Sequence, residues 1–142
     1  MHIEVRAEPF EPYAELQLYQ QRLMIAGKYG ATAVFVGSMR DFNQGDDVSE
    51  MWLEHYPGMT ERYLEKISQQ AAHQWQIIDS LILHRVGQIK PADPIVLVAV
   101  WSAHRAAAFD ASRYLMEELK SKAPFWKKET LNNATRWVEK NT

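Results

Sequence analysis

Apolar and polar positions along this chain switch between two periods, and the switches mark its elements. Ile3 and Val5 alternate with polar residues, which predicts a short first strand. A helix is expected over Ala14 to Ala26, closed by Gly27 and a Lys-Tyr-Gly turn at 28–30. Ala31 to Val36 is a β-prone apolar run, the pattern of a strand buried on both faces. It leads through Gly37-Ser38-Met39-Arg40 into a polar loop, Asp41 to Asp47. A strand over Val48 to Tyr56 follows and stops at Pro57-Gly58. Met59, Tyr63, Ile67, Ala71 and Trp75 recur every four residues and predict an amphipathic helix with Thr60 near its start. Ile77 to Val86 reads as a strand before Gly87, and Pro91-Ala92-Asp93-Pro94 as a turn cluster. Ile95 to Trp101 is an almost continuous apolar run, the strongest strand signal in the chain. Arg105 to Lys120 carries the stripe Ala108, Ala111, Leu115 and Leu119 of another amphipathic helix, with Ser102 or Ala103 near its cap. Phe125 to Leu131 and Thr135 to Val138 complete the pattern as two short strands around Asn132-Asn133. Strands interleaved with helices place the chain in the α/β or α+β class around a mixed sheet. No repeat or linker interrupts residues 1–142, so one domain is expected.

Composition narrows the chemistry. The chain has no cysteine, which excludes disulfides, thiolate nucleophiles, persulfide relays and Cys-type metal sites. If this protein handles sulfur, another molecule brings it. No apolar run approaches the roughly 20 residues that span a bilayer, and the N-terminal Met-His-Ile-Glu-Val-Arg lacks a secretory pattern, so a cytoplasmic location is expected. The net charge of −2 hides an asymmetry: residues 120–142 carry +4 and the other 119 carry −6. A basic patch on an acidic body suits a small anionic ligand or an acidic protein tail.

That patch is concentrated in Leu119-Lys120-Ser121-Lys122-Ala123-Pro124-Phe125-Trp126-Lys127-Lys128-Glu129. Pro124 pushes Ala123 out of helical geometry, so the arriving helix should end there. Lys120 then stands in a last helical turn and Lys127 on the segment leaving it, a corner where amines can converge on one anion. The alternative is a basic helix end that complements the macrodipole. Two predicted strands also run into arginines: Ala31–Val36 into Gly37-Ser38-Met39-Arg40, and Ile95–Trp101 into Ser102-Ala103-His104-Arg105. Strand ends and helix N-termini commonly receive anions, although a capped helix start with a solvated Arg explains the second equally well. Neither stretch has the glycine spacing of a P-loop or a dinucleotide fingerprint. The five histidines show no metal-ligand spacing, so no metal is expected, and no Gly-x-Ser-x-Gly elbow is present. Trp126 beside Lys127 is the tryptophan best placed for a site wall.

Together these stretches resemble one family, the catalytic (large) subunit of molybdopterin synthase. The resemblance rests on Gly37-Ser38-Met39-Arg40 with Asn43-Gln44-Gly45-Asp46, Leu53-Glu54-His55-Tyr56-Pro57-Gly58-Met59 and His84-Arg85-Val86-Gly87. It continues in Ser102-Ala103-His104-Arg105 with Ala108-Phe109, and in Leu119-Lys120 with Ala123 to Glu129. Two positions depart from the family pattern: Ala92 stands where Gly usually precedes the Asp, and Met39 where a β-branched residue is common. Neither removes a charged group.

The resemblance implies an α+β fold of the α/β-hammerhead type, with a mixed sheet, two main amphipathic helices and an added small β-rich part. It implies a sulfurtransferase, without a cofactor, that installs the dithiolene of molybdopterin on cyclic pyranopterin monophosphate. Sulfur would come from the thiocarboxylated C-terminal glycine of a small ubiquitin-like partner, in a heterotetramer built on a central dimer of large subunits. By the same resemblance Lys120 is the first choice for the essential group, assisted by Lys127. Arg40, His104 and Arg105 would bind the phosphate, with Ser38 and Met39 close by, and Lys128 and Glu129 would complete the pocket edge. On a strand, Lys127 and Glu129 share one face while Trp126 and Lys128 take the other, which favours Lys127 over Lys128. Clustered amines would also titrate below the usual lysine range. The competing reading is a binding module that grips single-stranded nucleic acid through the basic aromatic segment 120–137.

Overall fold

The computed structural model describes residues 1–132 and 134–139. Strands β1 (His2–Arg6), β2 (Ala31–Ser38), β6 (Asp79–Arg85) and β8 (Pro94–Ser102) form a mixed sheet in the order β1-β6-β8-β2. β1 runs parallel to β6, and β8 is antiparallel to both β6 and β2. A second sheet has the order β10-β9-β5-β7, from β5 (Glu50–His55), β7 (Gly87–Ile89), β9 (Phe125–Thr130) and β10 (Thr135–Val138). The class is therefore α+β, with three helices among the described residues: α1 (Pro12–Arg22), α2 (Met59–Trp75) and α3 (Arg105–Lys122).

The apolar run of β8 is buried on both faces because each face has its own core. Val96, Val98 and Val100 join Leu64, Ile67, Leu115 and Leu119 from α2 and α3, while Leu97, Ala99 and Trp101 meet Phe10, Leu16 and Tyr19 on the α1 side. Period-two alternation alone sorts the strand between them. The helix over Met59–Trp75 has the expected bounds, but its buried stripe is Thr60, Leu64, Ile67, Ser68 and Ala71, and Met59 is exposed. A strict four-residue spacing drifts about 40° per step on a helix of 3.6 residues per turn, so its first member rotates outward. α1 ends at Arg22, earlier than Ala26, because Met24 and Gly27 adopt positive φ (50° and 80°) and fold Ile25 and Tyr29 back onto the α1-side core.

The loop Asp41–Asp47 contains a small hairpin, β3 (Phe42–Asn43) with β4 (Asp46–Asp47), turned by Gln44 and Gly45 at φ 53° and 82°. Two successive positive φ values are those of a tight hairpin turn. Of the predicted Asn132-Asn133 turn, Asn133 lies outside the described residues. α3 runs two residues past Lys120, and Pro124 stops it as expected, with Ala123 extended at ψ 140°. The buried Thr60 hydroxyl then donates to Pro124 O (3.0 Å) and accepts from Tyr56 N (2.9 Å), tying the exit of α3 to the start of α2.

Candidate active site

Beyond the end of β2, a cleft enclosing about 620 Å³ of solvent-connected space collects Ser38, Met39, Arg40, Lys120, Lys127 and Glu129. Three elements from distant parts of the sequence build it. β2 ends in a register shift between Gly37 and Ser38, made possible because a Cβ at 37 would sit 2.8 Å from Val96 Cγ1. The chain beyond is clamped by the 90–93 turn: Met39 N donates to Asp93 O (3.0 Å) and Ala92 N to Met39 O (2.9 Å). The last turn of α3 supplies Lys120, beside the buried Leu119.

β9 supplies the third wall. Phe125, Lys127 and Glu129 face the cleft, and Leu53 and Met51 of β5, paired with Lys127 and Glu129, share that side. Trp126 and Lys128 take the other face, as alternation requires: Trp126 is exposed, and the Lys128 ammonium lies 5.7 Å from the Trp137 ring centroid. Lys128 and Trp126 are therefore not pocket residues. Phe125 is the aromatic of this wall.

Glu129 is buried, 4% exposed, and its carboxylate is fully engaged. Asn43 Nδ2 donates to both oxygens (3.2 and 3.1 Å) and Arg136 Nε to Oε1 (3.1 Å). Arg136 also donates to Asp46 Oδ2 (2.9 Å) and to Asn43 O (3.0 Å), locking the hairpin onto β10. Across the cleft, Arg40 packs over Phe42, 5.1 Å from guanidinium carbon to ring centroid.

The two amines have perturbed acidities. Burial pushes Lys120 below the ordinary lysine value, and the charges of Lys127 and Arg40 push in the same direction. Lys127 is lowered too, first by burial; Glu129 opposes this and Arg40 reinforces it. Neither amine forms an ion pair among the described residues. The result is a half-buried, uncompensated positive cavity, suited to an anion and to proton transfer by a lysine.

His104 and Arg105 do not join this cleft within one chain. The expectation that two strands deliver their arginines to one place assumed that both strand ends point the same way. β2 and β8 are antiparallel, with Ala31 opposite Ser102 and Ser38 opposite Pro94, so Arg40 and Arg105 lie at opposite ends of the sheet. From Arg105, α3 returns along the sheet, rising about 22 Å before it reaches Lys120. Both His104 and Arg105 are exposed at the start of the helix.

Asn43, His84, Phe125 and Arg136 shape the site although none was assigned to it from sequence. Asn43 and His84 sit in motifs that carried the family resemblance, which was the available signal. Nothing marked Arg136, whose position depends on the register Arg136↔Glu129.

Known proteins resemble the chain in sequence and in fold. Residues 5–122 match the family described as MoaE protein. A curated relative from Pseudomonas aeruginosa, the molybdopterin synthase catalytic subunit, is 49% identical over 98% of this chain and 91% of its own length. A solved structure of the molybdopterin biosynthesis MoaE protein from Burkholderia ambifaria is 44% identical, with a TM-score of 0.82 over 99% of this chain and 90% of that one. A crystal structure of molybdopterin synthase from Staphylococcus aureus superposes with a TM-score of 0.84 at 30% identity, covering 95% of each chain.

Proposed function

Because the chain belongs to the MoaE protein family, we propose that it is the catalytic subunit of a molybdopterin synthase. It transfers two sulfurs from the thiocarboxylated C-terminus of a small ubiquitin-like subunit to cyclic pyranopterin monophosphate. One observation carries this reading: Arg40, Lys120 and Lys127 converge from β2, α3 and β9 on a cleft where neither lysine has a carboxylate ion-pair partner. A phosphorylated ring and an anionic thiocarboxylate both require such fixed cations. Arg40 binds the phosphate through its forked donors, with Ser38 and Met39 alongside. Lys120, whose acidity is raised by burial and by like charges, moves protons at the sulfur-transfer centre. Lys127 assists it, on the same face of β9 as Glu129, whose charge opposes the fall in its pKa. The fold is read as the α/β-hammerhead type, with β10-β9-β5-β7 as its added β-rich part.

His104 and Arg105 keep their role as phosphate ligands, but toward the pocket of a second copy. Two features support this. β2 is an edge strand, and its exposed Val34 and Phe35 lie beside the exposed Phe109 along a groove that runs down α3 to Lys120. A twofold axis crossing α3 near Ser112 and Arg113 would exchange the helix ends and bring the partner's cations toward this chain's Lys120. Such an interface is the central dimer of a heterotetramer.

The nucleic-acid reading has no support in the placement of the basic segment. Lys120 and Lys127 face inward, Lys128 faces outward, and Lys122 and Arg136 pair with Glu118 and with Asp46 and Glu129. Charges divided over two faces do not form a strand-tracking groove.

The test is reconstitution with thiocarboxylated partner and cyclic pyranopterin monophosphate. Lys120→Ala should lower molybdopterin formation about 10²–10⁴-fold while partner binding is retained. Undiminished turnover by that variant would remove Lys120 from the mechanism.

A further inference from the structure

The cleft is lined by one more group that the proposed chemistry leaves unused. His84 is the penultimate residue of β6, on the face that carries Ile82, and it is buried at 3% exposure. Its ring stacks on Phe125, with centroids 3.9 Å apart and planes 17° from parallel. Nδ1 lies 2.8 Å from Arg85 O, and a carbonyl oxygen only accepts, so Nδ1 carries the proton. The tautomer is thereby fixed, and Nε2 presents a bare lone pair. No described residue donates to Nε2, yet it is not sealed from solvent: the one sealed and unpartnered side-chain atom among the described residues is Glu61 Oε1. Because the ring lines the cleft, Nε2 opens into it.

The neighbours make this acceptor unusual. Arg40 and Lys127 present only N–H donors, Lys120 does so in its ammonium form, and both oxygens of Glu129 are occupied. A ligand held by its anionic group still has N–H or O–H donors to satisfy, and burying them unmet is costly. We propose that His84 is a specificity-determining residue of this pocket: its Nε2 accepts a hydrogen bond from a ring or amide N–H of the bound heterocycle, while the surrounding cations hold the anionic group.

This role deepens the proposed function and rests on it. General-base catalysis by His84 is ruled out on physical grounds. Burial, reinforced by the positive charge of Lys120 on α3 and the proximity of His55 on β5, pushes its pKa down to about 3, with the Arg85 carbonyl opposing. Such an imidazole is too weak a base near neutral pH. It remains an uncharged acceptor throughout the working range.

Three variants separate the possibilities, each assayed as the complex with thiocarboxylated partner and checked for folding by thermal melting. His84→Asn keeps a donor for Arg85 O and removes the acceptor at the Nε2 position. His84→Gln places an amide oxygen near that position, and His84→Phe keeps only the stacking. KM for cyclic pyranopterin monophosphate should rise about tenfold in the Asn and Phe variants and recover in the Gln variant, with kcat changed by less than about twofold. Inhibition by inorganic phosphate, which needs the cations alone, should be the same in all. A wild-type KM in His84→Asn overturns the proposal, as does a fall in kcat shared equally by the Asn and Gln variants, which is the mark of a structural role. If the wild-type complex makes no molybdopterin, it is the proposed function that fails, and this inference falls with it.

Discussion

Burial sets the chemistry of Lys120 before any ligand arrives. An ammonium half-withdrawn from water, with Lys127 and Arg40 as neighbouring charges, loses its proton more readily than a free lysine. If neutral Lys120 is the base, turnover should rise with pH along a limb that lies below the ordinary lysine range. Lys127→Met keeps the bulk at the site but removes one of the charges that lower the Lys120 pKa. The limb should therefore move to higher pH in that variant, and kcat at neutral pH should fall several-fold as less Lys120 is neutral. A pH–rate profile checks both the direction and the sign; a limb that stays in place would separate Lys127 from Lys120. His84 and Glu129 show the same principle in other forms, one kept neutral by burial and the other kept satisfied by Asn43 and Arg136.

At the scale of elements, the pocket lip depends on a turn under strain. Ala92 adopts φ +75°, a conformation that costs a non-glycine residue about 1–2 kcal/mol. Its N–H nonetheless holds Met39 O, next to Arg40. This is the position where the family resemblance led one to expect glycine, and the geometry supplies the reason. Ala92→Gly should stabilise the protein by about 1 kcal/mol, read as a higher denaturation midpoint with an unchanged slope, and should leave turnover intact. A destabilised variant would mean that the turn gains more from its methyl group than it loses to strain. The companion device is Gly37, whose missing side chain lets β2 shift register against Val96 and aim Ser38 to Arg40 into the cleft.

At the scale of the molecule, antiparallel pairing determines which cations one chain can bring together. β2 and α3 are of similar length, so a helix that starts at the far end of the sheet finishes at the near end, and Lys120 meets Arg40 while Arg105 cannot. A dimer across the β2 and α3 face predicts complementation between two defective chains. Lys120→Ala and Arg105→Ala proteins should each be weak alone. Unfolded together and refolded in equal amounts, they form mixed dimers in which one of the two pockets retains both groups. Activity should then return to about one quarter of wild type, since half of the dimers are mixed. No gain on mixing would confine His104 and Arg105 to a role outside the pocket.

Local pattern was enough to place the seven longer strands, the bounds of α2, the stop at Pro124 and the division of β9 into a Lys127 face and a Lys128 face, because each depends on periodicity or on proline sterics within a few residues. It did not place β3, β4 and β7 or the exposure of Val34 and Phe35 on the edge strand β2. The family was legible as well, since its motifs are short and ordered along the chain. Tertiary structure decided the rest. The direction of β2 relative to β8 is a long-range pairing that no local window contains, and it separated Arg105 from Arg40. The register of β10 on β9, which seats Arg136 against Glu129, and the stacking of His84 on Phe125 arise from contacts between residues far apart in sequence. Side-chain chemistry is written residue by residue, but burial and proximity, which set its strength, exist only once the chain has folded.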